Sequence, residues 1–193
     1  MKIKKLPNRE YSLLNDKRKI IPLPIGEELC VVFDWLYIDA NGRIGAMYED
    51  KFYLFNADLK PIPLPIGKVK RLAFDWLIIA RNGFIKARHD GKYYGFKPDL
   101  TPIKLFIEGK YRVAFDRLNI DYHNGFIEAE HNGKWYGFKL PDLTSIELEI
   151  NGEGLVAFDW LIVYDHGIIK ALHNGKYYTF RLADLKPILT PIG

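Results

Sequence analysis

The chain has 193 residues, of which 48% are hydrophobic, 27% charged and 15% aromatic, with 16 glycines and 11 prolines. This length suits one domain or two small ones, and the composition excludes a disordered, collagen-like or disulfide-rich chain. Lysine and arginine number 28 against 24 acidic residues, which leaves a net charge of +4. Because the charges nearly cancel, the sequence also argues against a strongly electrostatic nucleic-acid binder.

The N-terminal segment does not resemble an export signal. Residues 1–6 are basic, but residues 7–19 are polar and contain no apolar run of the kind that export requires. No stretch approaches 18 apolar residues, so we expect no membrane-spanning segment. The single cysteine, Cys30, cannot form an internal disulfide and lies in an apolar run, which predicts a buried structural thiol. We therefore expect a cytoplasmic protein.

Internal repetition dominates the sequence. The motif Phe-Asp-Trp-Leu begins at Phe33, Phe74 and Phe158, and Phe115 opens the variant Phe-Asp-Arg-Leu, at intervals of 41, 41 and 43 residues. Each copy is followed by a glycine-containing turn pair, a lysine, a tyrosine and an Asp-Leu pair. Repetition at this period indicates stacked supersecondary units within one repeat domain. We divide the domain, residues 1–193, into a half unit and four full units, which are 1–26, 27–67, 68–109, 110–152 and 153–193.

The half unit at the N-terminus corresponds to the second half of a full unit. Residues 19–26 repeat residues 60–67 at an offset of 41, and residues 11–13 match residues 52–54. A surplus hairpin of this kind has unpaired edges, so a homodimer formed through the half unit is one hypothesis.

Each full unit predicts four short antiparallel strands without helical periodicity. In the second unit, the dipeptides Asn82-Gly83 and Asp90-Gly91 are hairpin signals, and we expect the first to form a type I′ turn. Alternating apolar residues between these signals are typical of half-buried strands. The predicted strands are residues 72–80, 84–89, 92–96 and 102–107.

The four strands differ in their expected burial. The first carries apolar residues on both faces, such as Trp35 against Leu36, so we expect it to be covered on both sides. The fourth contains prolines, which cannot donate to a ladder and therefore mark an edge. These prolines are Pro61, Pro63, Pro65, Pro102, Pro187 and Pro191, with Pro22 and Pro24 in the half unit.

A buried first strand and an edge fourth strand are typical of a propeller blade. The sequence thus predicts an all-β fold, a β-propeller of four-stranded blades of about 42 residues, with four full blades plus the N-terminal half unit. The alternative is an open β-hairpin solenoid, which the half-integer repeat count favours but the prolines oppose, because they would lie inside a continuous sheet.

Two families resemble this pattern. Phe115-Asp116, residues 124–127 and residues 132–138 resemble the bacterial WG-containing (KWG) repeat, although Trp and Gly are never adjacent in this sequence. Residues 64–67 and 82–84, with the tyrosine-bearing strand that follows, resemble the tachylectin-type lectin propeller. The first resemblance implies an interaction module, and the second implies sugar binding through repeated sites.

An aspartate follows the first phenylalanine of every repeat, at Asp34, Asp75, Asp116 and Asp159. Four carboxylates could surround an axial ion, but a carboxylate at such a position usually accepts backbone N–H bonds from a neighbouring turn. We therefore interpret these residues as structural joints between repeats, and we call them the joint aspartates.

The residue after each joint aspartate is a tryptophan in three repeats and an arginine in the third repeat. These residues are Trp35, Trp76, Arg117 and Trp160. They are candidates for a stacking surface, although packing between repeats is the favoured interpretation. The turn asparagines Asn41, Asn82 and Asn124 are candidate sugar-binding residues, and their backbone role in turns is the competing explanation.

His89, His131 and His173 occupy equivalent positions, but repeat symmetry separates them, so we expect no metal site. The sequence contains no catalytic or phosphate-binding motif, and we expect neither an enzyme nor a cofactor.

Equivalent positions vary in charge between repeats, as at Gly45, Lys86, Glu128 and Lys170, and at Met47, Arg88, Glu130 and Leu172. A repeated sugar site would keep its polar groups, so this variation favours a single asymmetric partner. The sequence predicts a non-catalytic binding or scaffold module that holds a protein partner on one face. A multivalent lectin that binds carbohydrate is the alternative, and we expect neither nucleic acid nor membrane as a partner.

Overall fold

The computed structural model describes residues 1–121, 124–164 and 166–188. This part of the chain contains 24 β-strands and no helix, so the prediction of an all-β fold is confirmed. The chain separates into two compact units, residues 1–103 and 104–193. We describe each of them by itself.

The first compact unit begins with a three-stranded sheet and a hairpin. The sheet has the order β1-β2-β3, and the hairpin consists of β4 and β5. The half unit is therefore larger than the single hairpin predicted from residues 11–26, because residues 2–5 add a strand to it. The bounds are β1 Lys2–Lys5, β2 Tyr11–Leu14, β3 Ile20–Ile21, β4 Leu23–Ile25 and β5 Glu28–Cys30.

The first two full repeats follow within the same compact unit. Each contributes an antiparallel three-stranded meander, and a two-stranded hairpin lies between the meanders. The first repeat contains β6 Trp35–Ile38, β7 Ile44–Tyr48 and β8 Lys51–Phe55. The hairpin pairs β9 Leu64–Ile66, at the end of the first repeat, with β10 Val69–Arg71, and the second repeat continues with β11 Ala73–Phe74, β12 Trp76–Ile79, β13 Ile85–His89 and β14 Lys92–Phe96.

The second compact unit repeats this arrangement twice, with two hairpins and two meanders. The first hairpin pairs β15 Leu105–Ile107, at the end of the second repeat, with β16 Lys110–Arg112, and the third repeat continues with β17 Arg117–Asp121, β18 Phe126–His131 and β19 Lys134–Lys139. The second hairpin pairs β20 Leu148–Ile150, at the end of the third repeat, with β21 Glu153–Leu155, and the fourth repeat continues with β22 Trp160–Tyr164, β23 Ile168–His173 and β24 Lys176–Arg181.

The predicted fourth strand differs from expectation. Pro61 makes only an isolated bridge to Phe55 at the edge of the meander, and the chain then leaves the sheet. Pro65 lies in β9, whose partner is β10 of the next repeat, opposite Lys70. The sheet of a repeat therefore has three full strands. Pro61, Pro102 and Pro187 each make a single bridge at the edge of a meander, whereas Pro24 and Pro65 lie in separate hairpins, and Pro191 lies outside the described residues.

The turns also correct one prediction. Gly83 has a φ of 88°, but Asn82 is absent from the residues of positive φ, so Asn82-Gly83 does not form a type I′ turn. A turn whose glycine alone is left-handed matches a type I turn closed by a bulge. Asp90-Gly91 has positive φ at both positions, 50° and 75°, as a type I′ hairpin requires.

Two phenylalanines per repeat form the centre of the packing. One precedes the joint aspartate and the other lies on the third strand of the meander, and all of them are buried: Phe33, Phe55, Phe74, Phe96, Phe115, Phe138, Phe158 and Phe180. Truncating such a ring to alanine costs about 3–5 kcal/mol, so these residues explain much of the repeat conservation within the chain.

The first strand of each meander is not covered on both sides, in contrast to the prediction. Leu77 and Ile79 are buried, whereas Ile78 between them is 46% exposed. In the third repeat, Leu118 is buried and the side chain of Arg117 is 71% exposed. These strands alternate between a core face and a half-exposed face, as strands of antiparallel sheets commonly do.

Successive repeats within a compact unit are joined at one sheet edge. Tyr11 bridges Phe33, Phe52 pairs with Phe74, and the third such contact joins Trp135 to Phe158. Each contact connects a strand of one sheet (β2 at the first joint and the third strand of the meander at the other two) to the segment that opens the next meander. This register fixes which residues of neighbouring repeats meet at the joints.

Candidate binding surfaces and interrepeat joints

The tryptophan positions lie on one face of their sheets, together with the positions that vary most in charge. Trp35 is directly opposite Met47, Trp76 opposite Arg88, Arg117 opposite Glu130 and Trp160 opposite Leu172. The second variable position lies on the same face, two residues earlier on the second strand of each meander. We call this face of each meander its variable face. Its further members are Gly45, Lys86, Glu128 and Lys170.

The variable face of the first repeat forms an apolar cleft with the second repeat. The cleft has a volume of about 300 Å³. The Trp35 indole stacks on Tyr37, with ring centroids 6.0 Å apart, and it also contacts Phe52 at 5.8 Å. Trp76 and Ile78 line the cleft from the second repeat. Clefts of this size with aromatic walls are the usual form of binding sites.

The variable face of the second repeat combines aromatic rings with cations. The Lys86 ammonium lies 5.1 Å from the Trp76 ring and 5.7 Å from the Tyr93 ring. The Arg88 guanidinium lies 5.8 Å from the same tyrosine. Burial between the rings lowers the pKa of Lys86. This cluster therefore places a partly desolvated cation beside the apolar cleft.

The third repeat has the opposite charge at the same positions. Glu128 is buried, and its carboxylate accepts hydrogen bonds from the Val163 N–H at 2.6 Å and from the Asn119 amide at 3.0 Å. Burial raises the pKa of Glu128, although these two hydrogen bonds oppose the shift. Glu130 pairs with the exposed Arg117 at 3.3 Å. Glu128 thus links the third and fourth repeats and is not available to a partner.

The fourth repeat presents an exposed aromatic pair. Trp160 is half-buried and contacts Tyr177 edge to face, with ring centroids 6.4 Å apart. Tyr177 is 73% exposed. The four variable faces therefore share the tryptophan or arginine position but differ in the groups beside it.

The joint aspartates connect neighbouring repeats through a lysine and a turn. Asp75 lies 2.7 Å from the Lys51 ammonium of the preceding repeat, and it accepts the Asp90 N–H at 3.0 Å. The hydrogen bond from Lys51 lowers the pKa of Asp75. Asp159 repeats the arrangement with Lys134 and with the N–H of the turn that follows. Asp116 accepts the Asn132 N–H at 2.8 Å.

Asp34 differs from the other joint aspartates. It is exposed, and its side chain makes no hydrogen bond or ion pair within the described part of the chain. The first joint therefore has its carboxylate but neither of the contacts seen at Asp75.

The turn asparagines take part in local hydrogen bonds. The Asn41 N–H donates to Asp39 at 2.9 Å, and the Asn124 N–H donates to Asp121 at 3.0 Å. The side-chain carbonyl of Asn82 accepts the Phe84 N–H at 3.4 Å. Asn41 lies beyond the end of the strand that begins at Trp35, so the two sets of candidate sugar-binding residues are at opposite ends of the sheet.

The histidines are not gathered into a site. His89 lies 3.3 Å from Asp90 and contacts Phe74 edge to face. Within the described ranges, no three histidine, cysteine or acidic side chains are grouped as metal ligands would be.

Cys30 is buried. The neighbouring Cys30 thiol, together with the negative charge of Glu49, raises the pKa of Tyr48 to about 12.

One buried ion pair was not predicted from the sequence. Arg43 occupies a position that is apolar in the other repeats, and its guanidinium contacts Asp39 together with the carbonyls of Gly83 and Pro98. The departure from the repeat pattern, an arginine beside a turn aspartate, is the signal that could have revealed it.

Comparisons with known proteins give no family. No protein-family model matches the chain, and no curated protein matches it significantly. Among solved structures, Hsv2 of Kluyveromyces lactis matches over 93% of this chain and 56% of its own, with 11% identity and a TM-score of 0.43. The chain spans only 47% of another Hsv2 structure that it matches.

Two further structures have similar scores. Virginiamycin B lyase from Staphylococcus aureus is covered over 69% of its length, with 13% identity and a TM-score of 0.38. The dihydro-heme d1 dehydrogenase NirN is covered over 42%, with 10% identity and a TM-score of 0.42. Similarity at this level carries no argument about the activity of this chain.

In the described residues, no helix has the length and apolarity needed to cross a bilayer.

Proposed function

We propose that this chain is a non-catalytic binding module that holds a protein partner on the variable faces of its repeats. The apolar cleft between the first two repeats carries the proposal. Its walls combine two indole rings, a phenylalanine and a methionine, residue types that are enriched at the centres of protein interfaces. Ile78 lies at its rim and is 46% exposed, so the cleft opens to solvent.

The differences between variable faces support a single asymmetric partner. Arg88 of the second repeat corresponds to Glu130 of the third, and the position that presents Lys86 in the second repeat holds in the third the buried Glu128, which accepts the Val163 N–H instead of facing a partner. Apolar anchors beside charged neighbours give affinity through burial and specificity through charge. An apolar or aromatic side chain of the partner would enter the cleft, with an acidic residue beside Lys86.

The carbohydrate alternative receives less support from these faces. A lectin with repeated sites needs the same polar group in each site, and the residues opposite the tryptophan position share none. Two of the turn asparagines use their side chains locally, since the Asn82 side-chain carbonyl accepts the Phe84 N–H and the Asn124 side-chain amide donates to Asp121.

Peptides selected from a displayed random library test the proposal directly. We expect the selected peptides to carry an aromatic or large apolar anchor and to bind Ile78→Glu at least about tenfold more weakly than the unchanged protein. Tyr111→Glu is the matched control, because Tyr111 is also exposed, at 73%, but lies on a different hairpin. Equal loss in both variants, or glycan binding abolished by Ile78→Glu, would overturn the assignment of a protein partner.

We also propose that the repeats stack as propeller-type blades. Gly45 on the variable face of the first meander is close to Ile79 on the core face of the second, and Gly137 is similarly close to Leu161. Face-to-face stacking of successive sheets is how blades pack. The edge bridges between repeats suit the open solenoid, so small-angle scattering decides: a disc supports the propeller and a rod supports the solenoid.

The edge strand bears on the homodimer hypothesis. Strand β1 is exposed along its length and contains Lys2, Lys4 and Lys5. Lysines on an edge strand oppose pairing with a second copy. We therefore propose a monomer rather than a homodimer through the half unit, and sedimentation equilibrium tests this choice.

A further inference from the structure

The first joint between repeats contains an acid where the other joints contain a lysine. Tyr11 bridges Phe33 as Phe52 pairs with Phe74, which aligns the two joints residue by residue. The residue before Tyr11 is Glu10, whereas the residue before Phe52 is Lys51. At this joint, the position that Lys51 occupies beside Asp75 is held by Glu10, so Asp34 has a second carboxylate beside it instead of an ammonium group.

A pocket of about 430 Å³ lies at this joint. Four carboxylates line it, from Glu10, Asp34, Glu49 and Asp50, and none of its lining residues is a lysine or an arginine. The Glu10 carboxylate accepts a hydrogen bond from the Asn8 amide. The remaining walls are apolar or aromatic, so the pocket combines concentrated negative charge with surface that an alkyl chain can cover.

A second observation identifies the group that this pocket accepts. In two later joints, the aspartate equivalent to Asp34 holds a primary ammonium group, at 2.7 Å between Asp75 and Lys51 and again between Asp159 and Lys134. The position equivalent to Asp34 therefore binds a lysine side chain in the repeats where the preceding strand supplies one. At the first joint the chain does not supply it.

We propose that this pocket binds a lysine side chain of a partner polypeptide, with Asp34 as the principal acceptor. The ammonium takes the place that Lys51 occupies on Asp75, and the alkyl stem lies against Val32 and Tyr48, which line the pocket and are half-buried. Binding places one cation among four carboxylates, and the attraction between opposite charges favours it. This site does not depend on the apolar cleft and goes beyond the proposed function.

A short peptide with the chain's own joint lysine is a suitable probe. The acetylated and amidated pentapeptide Asn-Gly-Lys-Trp-Tyr reproduces residues 132–136, and a control peptide has norleucine in place of the lysine. Titrated into isotope-labelled protein, the lysine peptide should shift the amide resonances of Asp34, Glu49 and Asp50 saturably. We expect the norleucine peptide to bind at least about tenfold more weakly.

Two variants of the pocket separate binding from folding. Asp34→Asn should weaken peptide binding about tenfold without lowering the melting temperature, because the exposed Asp34 makes no contact within the described chain. Glu10→Lys supplies the missing lysine, so it should raise the melting temperature and abolish peptide binding. Glu10→Gln is the matched control, which removes the acid without adding a cation and should retain binding.

Several results would overturn the proposal. Equal binding of the norleucine peptide would show that charge is not recognised, and unchanged binding by Glu10→Lys would show that the pocket is not a lysine site. A saturable response to calcium chloride without a response to the peptide would assign the pocket to a metal ion instead. Ile78→Glu should leave peptide binding unchanged, which keeps this test separate from that of the cleft.

Discussion

The Arg43 guanidinium lies 2.7 Å from the Asp39 carboxylate, and both side chains are buried. Arg43 also donates to the Gly83 carbonyl at 2.7 Å and to the Pro98 carbonyl at 3.2 Å. The pair therefore connects the first turn of one repeat to two loops of the next. A buried ion pair is strongly destabilising when only one partner is removed, because the other charge stays buried.

The second repeat supplies a natural replacement for this pair. Ala80 and Phe84 occupy the positions of Asp39 and Arg43. We expect Arg43→Phe alone to lower the free energy of unfolding by about 3–5 kcal/mol, since Asp39 then loses its cation. The double variant Asp39→Ala with Arg43→Phe should recover at least about 1 kcal/mol of that loss.

Urea denaturation of the two single variants and the double variant measures this coupling. Asp39→Ala completes the cycle, and it leaves the arginine buried without its carboxylate. If the effects of the single variants simply add in the double variant, the two residues do not stabilise the fold as a pair.

Residues that recur in every repeat made much of this structure predictable. The aromatic-Asp motif, the hairpin signals such as Asp90-Gly91 and the alternating strands could be predicted because similar patterns recur in the repeats. The joint aspartates accept turn N–H groups at Asp75, Asp116 and Asp159. A residue type that recurs at the equivalent position of all four repeats indicates a structural requirement that the repeats share.

The parts that escaped prediction depend on pairings between repeats. The sequence pattern predicts that Pro65 lies at an edge within its own unit, but the two-residue turn after Ile66 pairs that segment with the following one. A glycine first in a two-residue turn is a hairpin signal that could have shown this. Glu128 and Arg43 differ from their equivalents, and their burial depends on neighbours that only the fold brings close.

The joint at Asp75 predicts a difference between two equivalent aspartates. Asp75→Ala removes the acceptor of Lys51 and of the Asp90 N–H, and we expect the melting temperature to fall by about 2–4 °C. Asp34→Ala should change it by less than about 1 °C, because Asp34 makes neither contact. Differential scanning calorimetry measures both. Equal melting temperatures for the two variants would show that the interrepeat contacts of Asp75 do not stabilise the fold.

The same joint predicts a pH dependence. The hydrogen bond and charge of Lys51 hold the pKa of Asp75 below its ordinary value despite partial burial. A carboxyl group with a lower pKa in the folded state contributes its stability above the unfolded pKa, about 3.9, and loses it as the pH falls through the folded pKa.

We therefore expect the wild-type chain to be more stable than Asp75→Asn from about pH 5 to 7, with the difference vanishing at lower pH. Urea denaturation at several pH values tests this, with Asp34→Asn as the variant whose difference from wild type should stay near zero throughout. A difference for Asp75→Asn that grows as the pH falls would contradict the assigned direction of the pKa shift.

Glu128 predicts the opposite pH dependence. Burial raises its pKa, and the negative charge of Asp121 adds to the shift, while hydrogen bonds from Asn119 and Val163 oppose it. A carboxyl group whose pKa is raised by folding stabilises the fold most below its unfolded pKa, about 4.3, and this contribution declines as the pH rises through the folded pKa. Glutamine resembles the protonated form, so Glu128→Gln should be more stable than wild type at pH 7 and equal to it near pH 4.

The alanine variant separates the cost of the charge from the value of the hydrogen bonds. Glu128→Ala leaves the buried Val163 N–H and the Asn119 amide without their acceptor, and we expect it to lose about 1–3 kcal/mol at pH 7. Glu130→Gln, two residues along the same strand, controls for the removal of one negative charge. If Glu128→Gln were less stable than wild type at pH 7, the hydrogen bonds to the ionised carboxylate would outweigh the cost of its burial.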